Sequence, residues 1–320
     1  MAARFSGMRA LWVAVLLACL LVPEVRAEDV WMDVDCAIGL VGSDVDDGLA
    51  LVQAFHSPEV TVRGVSTVYG NAALAPGLPA AREVLARFGP AGMVPAPGAA
   101  RASQLGQETP ATRALAAALR ERPLTVLALG PVTNVASLLL RHPELAPRIR
   151  RLVVVAGRRP GQAFRSSPAQ KIPFRDFNFE LDPRAMQVLL DSGVELWLAP
   201  WEVSSHVWIT PEDLRALAGR SATGAWLWLR CQAWMRMWRQ DLGAPGFNPF
   251  DTLAVGLLTH PGLIETRDVR IAIERGADDT GKPGRKPYLV CRDAPGGRRA
   301  RYAWRPLEAF HDALLGRLGR

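Results

Sequence analysis

Short apolar runs and segments of helical period take turns along this chain from Val30 onward, and few folds satisfy such an alternation. Residues 30–34, 61–68, 93–96, 124–129, 149–156 and 194–199 read as strands. Residues 49–55, 76–88, 110–119, 132–140 and 183–190 carry apolar side chains at helix spacing between them. Val- and Leu-rich strands, each followed by a helix, predict an α/β fold: an open, mostly parallel sheet with helices on both faces. Farther on the pattern changes. Helices are expected over 211–218 and 224–240, the second bearing Trp226, Trp228, Trp234 and Trp238, which aromatic spacing on a helix assigns mostly to the core, although a site that clamps a flat ring would need a Trp or Tyr near its mouth. Asn248-Pro249-Phe250-Asp251 opens another helix, through 258. Runs near 269–273, 288–291 and 302–304 suggest a small antiparallel C-terminal addition before a last helix over 306–318. No repeat or linker divides the chain, so residues 28–320 are read as one domain.

Residues 1–27 stand apart. Arg4 and Arg9 precede an apolar run over 10–22 and the small-residue end Val25-Arg26-Ala27, the form of a signal peptide cleaved after Ala27. The run is short for a bilayer span, and apolar Leu20, Leu21 and Val22 after Cys19 argue against lipoprotein anchoring. The expectation is an exported protein, periplasmic or secreted, with no stable membrane insertion. The formal net charge is +7, with much of the excess in Arg285, Lys286, Arg292, Arg298, Arg299 and Arg301. No aromatic-basic recognition motif accompanies it, so nucleic acid is not an expected partner. Cys36, Cys231 and Cys291 lack the paired spacing of a disulfide framework or zinc site. Self-association into a homo-oligomer is left open.

The chemistry gathers in the first strand–loop–helix unit, where Asp33, Asp35, Asp44, Asp46 and Asp47 crowd together. So many carboxylates repel one another, and a hard divalent cation among them is the simplest remedy. The carboxyl edge of a parallel strand is also where open α/β sheets place ligands. The plainer alternative makes Asp33 a strand-end polar residue, Asp44 a turn residue and Asp46 a helix cap, which leaves part of the cluster without a role. Residues 157–179 form a polar, Pro-punctuated stretch after a core strand, as functional loops do.

Five stretches, taken in order, resemble the inosine-uridine-preferring nucleoside hydrolases. They are Asp33-Val34-Asp35 with Asp46-Asp47; Gly64 to Asn71; Leu129-Gly130-Pro131-Val132-Thr133-Asn134; Gln170 to Asn178 with Asp182-Pro183; and Asn248-Pro249-Phe250-Asp251. The resemblance implies hydrolysis of the N-glycosidic bond of a small-molecule ribonucleoside, giving ribose and free base, with one calcium ion (Ca2+). It implies Asp35, Asp47, Asp251 and the backbone carbonyl of Thr133 as metal ligands. Asp35, which would deprotonate the water, and Asp46 would be catalytic. Asp46, Asn71, Gln170, Asp176 and Asn178 would hold the ribose hydroxyls. A binding protein that keeps the metal and diol site without catalysis is the alternative reading.

Three departures from the pattern matter. Ten residues separate Asp35 from Asp46, more than the family usually has, so that Asp44 competes with Asp35 for its role. Asp176 and Gln170 stand where Glu and Asn are usual. Phe250 occupies the place of a His found in several purine-using members, so either the substrate needs little acid or the acid comes from elsewhere; His206 is a candidate, with an ordinary surface or cap residue the preferred reading of it, and His56, His142, His260 and His311 fall at helix ends, where structural roles are expected.

Overall fold

The computed structural model describes residues 27–320, so the predicted signal segment lies, but for Ala27, outside them. Its strands are β1 (Glu28–Val34), β2 (Val60–Thr67), β3 (Ala96–Pro97), β4 (Leu124–Ala128), β5 (Ile149–Val154), β6 (Leu196–Leu198), β7 (Ile264–Ala277), β8 (Arg285–Arg292) and β9 (Arg298–Pro306). Among the described residues they form one sheet in the order β3-β2-β1-β4-β5-β6-β9-β7-β8. All neighbours from β3 to β9 are parallel, and β7 is antiparallel to both β9 and β8. The expected antiparallel addition therefore extends the main sheet through β9 instead of forming a layer of its own.

The helices are α1 (Asp46–Phe55), α2 (Leu74–Phe88), α3 (Pro110–Glu121), α4 (Thr133–Arg141), α5 (Phe177–Leu181), α6 (Pro183–Asp191), α7 (Trp201–Ser204), α8 (Pro211–Arg220), α9 (Ala222–Asp241), α10 (Thr252–Thr259) and α11 (Ala309–Leu318). Two apolar clusters cover the two faces of the sheet. Leu49, Val84, Trp226, Leu253 and Phe310 pack on one face with Val30, Met32 and Val34. Leu115, Leu138 and Leu189 pack on the other with Trp31, Val126 and Leu152. Successive β1 residues thus serve opposite layers, as the period of a strand requires.

Helix starts follow local chemistry. Thr109 and Thr210 form capping boxes ahead of Pro110 and Pro211, and Asp182 accepts from the Ala185 N–H ahead of Pro183. Boundaries shift where such a signal is weak. The strand expected at 93–96 is only the bridge Ala96–Pro97, and Pro306 ends β9 instead of opening α11. The C-terminal helix is tied back by Arg317, which is buried, donates to the His56 carbonyl at 3.2 Å and to Glu59 Oε1 at 2.5 Å. No helix among the described residues is long and apolar enough to cross a membrane.

β1 is central, with β2 on one side and β4 on the other, so the chain reverses its winding direction between β1 and β4. Such a switch point leaves a crevice at the carboxyl ends of the strands. The tight register of β1 depends on Gly64, which stands opposite Trp31. A Cβ on Gly64 would lie 2.2 Å from the indole ring. Trp31 crosses this gap so that its Nε1–H donates to Ser66 Oγ at 2.9 Å. Replacing Gly64→Val is expected to destabilise the protein by about 3 kcal/mol, at the upper end for overpacking. A urea midpoint that does not move would contradict this dependence.

Candidate active site

The crevice holds a cavity of about 590 Å³. Asp33 is buried near the carboxyl end of β1. Its Oδ1 accepts from Ser66 Oγ at 2.5 Å and from Asn134 Nδ2 at 2.8 Å, while Oδ2 is buried with no hydrogen-bond partner. Burial pushes its pKa up to about 6, against the downward pull of those two hydrogen bonds. Asn134 also donates to the Thr67 carbonyl and accepts from the Ala99 N–H, so it joins the ends of β1, β2 and β3. Neither Ser66 nor Asn134 was assigned a role from sequence; Asn134 closes the quoted Leu129–Asn134 motif, and that was the available signal.

Asp35 follows the strand. Its Oδ2 accepts from the Asn71 backbone N–H at 2.7 Å and its Oδ1 from Asn71 Nδ2 at 3.2 Å, and its own N–H donates to Asp47 Oδ1 at 3.1 Å. Gly70 and Gly130 press on it: a Cβ would come within 1.8 Å of Asp35 Oδ2 at Gly70 and 2.9 Å of Asp35 Cβ at Gly130. Asp46 and Asp47 open α1, where the helix N-terminus favours negative charge. Asp251 immediately precedes α10. One oxygen each from Asp46, Asp47 and Asp251 lie within 4.8 Å of one another, and all three residues are buried.

Within this group Asp47 Oδ2 and both Asp251 oxygens are buried without any partner. Desolvation, with repulsion from the neighbouring aspartates behind it, drives Asp47 and Asp251 well above the ordinary carboxylate range. It pushes Asp35 up to about 7. Orphaned carboxylate oxygens of this kind are what a divalent cation relieves, and the all-oxygen donor set fits a hard ion. Asp44 comes from the long loop: its Oδ1 accepts from the Val45 and Asp46 N–H groups, and it lines the cavity beside Gly42 and Ser43. The loop folds compactly because Ile38 sits on Gly48, while Gly39 and Gly42 take positive φ.

Thr133, Gln170 and His206 are not among the residues that line the cavity. Thr133 does not reach the cavity: its carbonyl accepts from Ser137 Oγ at 2.7 Å and its hydroxyl donates to Asp182 Oδ2 at 2.7 Å, both inside the α4–α6 packing. The carbonyl-bearing residue that does line the cavity from this motif is Leu129, just past the end of β4 and before Gly130. Gln170 is spent on its own loop, with Oε1 accepting from the Ser166 N–H and Nε2 donating to the Ile172 carbonyl. His206 is exposed and outside the cavity lining.

Asn71, Asp176 and Asn178 do line the cavity. Asn178 Nδ2 donates to the Leu129 and Val155 carbonyls, at 2.5 and 3.1 Å. Asp176 Oδ2 accepts from the Gly157 N–H at 2.9 Å; burial raises its pKa to about 6, opposed chiefly by the Arg158 charge. Behind Asp176 a partly buried ionic knot joins this loop to the β7–β8 hairpin. Arg158 Nη1 donates to Asp279 Oδ2 at 2.6 Å, and Lys286 Nζ reaches Asp279 at 2.7 Å and Glu180 at 2.8 Å. The hairpin tip thereby contributes Thr280 and Lys282 to the cavity rim. The hairpin had no expected part there; the tryptophans of α9 were expected mostly in the core, and of them Trp234 and Trp238 line the cavity.

A family described as "Inosine-uridine preferring nucleoside hydrolase" matches residues 30–293. The chain belongs to this family. Among the family's curated relatives, the non-specific ribonucleoside hydrolase RihC of Shigella flexneri is 28% identical over 263 residues, covering 74% of this chain and 83% of that one. The protein of the same name from an Escherichia coli strain is 28% identical over 278 residues, covering 78% and 88%. Of solved nucleoside hydrolase structures, the purine-preferring ribonucleoside hydrolase from Gardnerella vaginalis superposes with a TM-score of 0.75 at 18% identity, covering 91% of this chain and 98% of that one. The plant nucleoside hydrolase PpNRh1 gives 0.73 at 19% identity, covering 91% and 98%. These structures share the nucleoside hydrolase fold, and the open sheet with its switch-point crevice is the fold expected from sequence.

The raised carboxyls set a pH dependence. Asp33, Asp35 and Asp176 titrate near 6 to 7 when folded and near 4 when unfolded, so the folded state binds more protons in that window and stability falls as pH rises through it. Metal-free protein is expected to melt at a lower temperature at pH 7.5 than at pH 5, and added calcium should shrink the difference. A melting temperature that climbs from pH 5 to pH 7.5 after chelation would contradict the reading.

Proposed function

We propose that this nucleoside hydrolase family member cleaves the N-glycosidic bond of ribonucleosides, releasing ribose and free base, with calcium held by its aspartate group. The observation that carries the proposal is the set of orphaned oxygens on Asp47 and Asp251, buried at the switch point beside a cavity lined by sugar-compatible polar groups and aromatic rings. Asp47, Asp251 and Asp46 would hold the ion, with Asp35 against them and the Leu129 carbonyl as the neutral donor. Calcium suits a set of several carboxylates with a backbone carbonyl better than magnesium, which demands a stricter octahedron. When bound, it lowers the pKa of water and orients sugar hydroxyls.

The chain's own residues supply the remaining steps. Asp35 is fixed by Asn71 at both oxygens, yet a carboxylate has about four acceptor sites, so it retains the capacity to take a proton from water. Asn71, Asp176 and Asn178 position the ribose; with both Asn178 donors committed to backbone carbonyls, its Oδ1 is turned to accept from a sugar hydroxyl. As the bond breaks, positive charge grows on the ribose ring, and the surrounding carboxylates stabilise it. Export to the periplasm or medium is part of the same proposal. It is supported by Arg4 and Arg9, the apolar run after them and the small-residue end at Ala27.

Purified protein incubated with inosine, uridine and a nitrophenyl riboside tests the proposal directly. Base and reducing sugar should appear in equal amounts, vanish with chelator and return with calcium. Tight binding of a riboside that is never consumed would favour the non-catalytic alternative. Asp251→Asn is expected to lower kcat/KM by at least about 10²-fold, with calorimetry showing weakened calcium binding. Buried polar groups left without the 2′-hydroxyl make 2′-deoxyribosides poorer substrates by on the order of 10⁴-fold; comparable rates on uridine and deoxyuridine would remove the diol from the argument.

A further inference from the structure

We propose that the cavity selects ribosides whose base carries a fixed positive charge on its ring, as a pyridinium or a 7-alkylated purine does; this rests on the riboside-hydrolase reading above. The first argument is the absence of a proton donor where the base must leave. A neutral purine or pyrimidine departs with an electron pair on a ring nitrogen and needs a proton there, usually from a positioned acid. Here much of the remaining lining is aromatic, with Phe164, Phe174, Trp201, Trp234, Trp238 and Phe250 beside aliphatic Val155, Ala156, Ile172 and Pro173. Among the described residues no histidine or tyrosine lines the cavity. Tyr69, close in sequence to Asn71, points its hydroxyl at Thr133 and the Leu181 carbonyl.

The ionisable groups that do line the cavity have other placements. Asp46 and Asp251 belong to the metal-binding group, and Asp44 braces the start of α1. Asp176 is held by Gly157, and Arg175 is a guanidinium paired with Glu180 that does not give up its proton. Lys282 is exposed on the hairpin tip, at the rim.

The second argument is attraction. Phe164 and Trp201 stack with centroids 4.9 Å apart, and Trp238 lies 5.4 Å from Phe174 and 6.0 Å from Phe250. Ring faces attract cations, most strongly where water is excluded; Phe164 already carries Arg158, so the partly exposed rings of Phe174, Trp201, Trp234 and Phe250 are the ones that would meet a ligand. With Asp46 and Asp251 balanced by the ion they would hold, Asp44 and Asp176 stand against Arg175 and Lys282 in the lining. A flat cation is therefore favoured by the quadrupoles of the rings.

The chemistry closes without an acid. The C1′–N bond breaks and its electron pair passes to the ring nitrogen, cancelling the positive charge, so the base leaves neutral. Water oxygen bonds to C1′ and one of its protons goes to the Asp35 carboxylate. Nothing is oxidised or reduced.

Two measurements on the calcium-loaded protein test the proposal. In the first, quenching of tryptophan fluorescence compares 1-methylnicotinamide, a permanent cation, with neutral nicotinamide. The cation should bind about tenfold more tightly, and Trp201→Leu should remove most of that difference. In the second, 7-methylguanosine and nicotinamide riboside are compared with guanosine and uridine. The charged pair should be favoured in kcat/KM by about 10³-fold, the scale of a missing general acid. Equal binding of the charged and neutral amides overturns the proposal, as does guanosine or uridine turnover within tenfold of the charged ribosides. If no riboside is hydrolysed the parent reading fails, and the fluorescence comparison still decides this one.

Discussion

Mutual repulsion among buried carboxylates is the constraint around which this structure is organised. Asp33, Asp35, Asp44, Asp46, Asp47 and Asp251 are all nearly inaccessible to water, and unpaired buried charge is among the most destabilising things a fold can hold. No lysine or arginine side chain makes an ion pair with any of these six among the described residues. Of the cationic groups that penetrate the fold, Arg158 and Lys286 are committed to Glu180 and Asp279, and Arg317 to Glu59. Relief comes from hydrogen-bond donors for some of the oxygens and is left to a cation for the rest. The division is visible atom by atom. Asp35 has Asn71 on both oxygens, whereas Asp251 has nothing on either.

Holding such a cluster in register requires neighbours that cannot give way. Trp31 passes over Gly64 to Ser66, Ser66 reaches Asp33, and Asn134 ties Asp33 to the ends of β2 and β3. Gly70 and Gly130 allow the backbone to close on Asp35 where any side chain would collide with it. These contacts join β1 to the ends of β2 and β3 through α4, so the placement of Asp33 and Asp35 is set by sheet register. Rigid support of that kind is what a reacting carboxylate needs, because small misplacements are expensive in rate.

Much of this was legible in the residues. Strand–helix alternation, the aspartate group, Asn71, Asp176, Asn178 and Asp251 were all singled out, because period, burial and residue type are local properties. What could not be read depended on orientation. Backbone carbonyls carry no residue signature, so the choice of Thr133 over Leu129 had no local evidence to correct it. Gln170 has the right polarity for a ligand, yet its amide turns inward to satisfy the Ser166 N–H and the Ile172 carbonyl. Trp234 and Trp238 share a helix with buried Trp226 and Cys231, and no periodicity distinguishes a ring that fills the core from one that also walls a cavity. The hairpin tip was out of reach for another reason: it comes to the site through a long-range ion network, and such pairs leave no mark at fixed sequence spacing.

That network also bears on how the two ends of the cavity communicate. Glu180 accepts from the Asp176 N–H, pairs with Arg175 and Lys286, and approaches Arg158, so one carboxylate joins the sugar-positioning loop to the hairpin that closes the rim. Arg158 in turn lies 4.1 Å over the Phe164 ring, which stacks on Trp201. Displacement of Asp176 by a badly fitting sugar would therefore be felt at Glu180, then at Arg158, and then in the aromatic wall. Packed groups of this kind shift between discrete arrangements more readily than they stretch, so on the function proposed above sugar and base would be read by a single connected surface. Specificity for one is then not independent of the other, and the tolerance of this cavity for a given base has to be judged with the correct pentose attached.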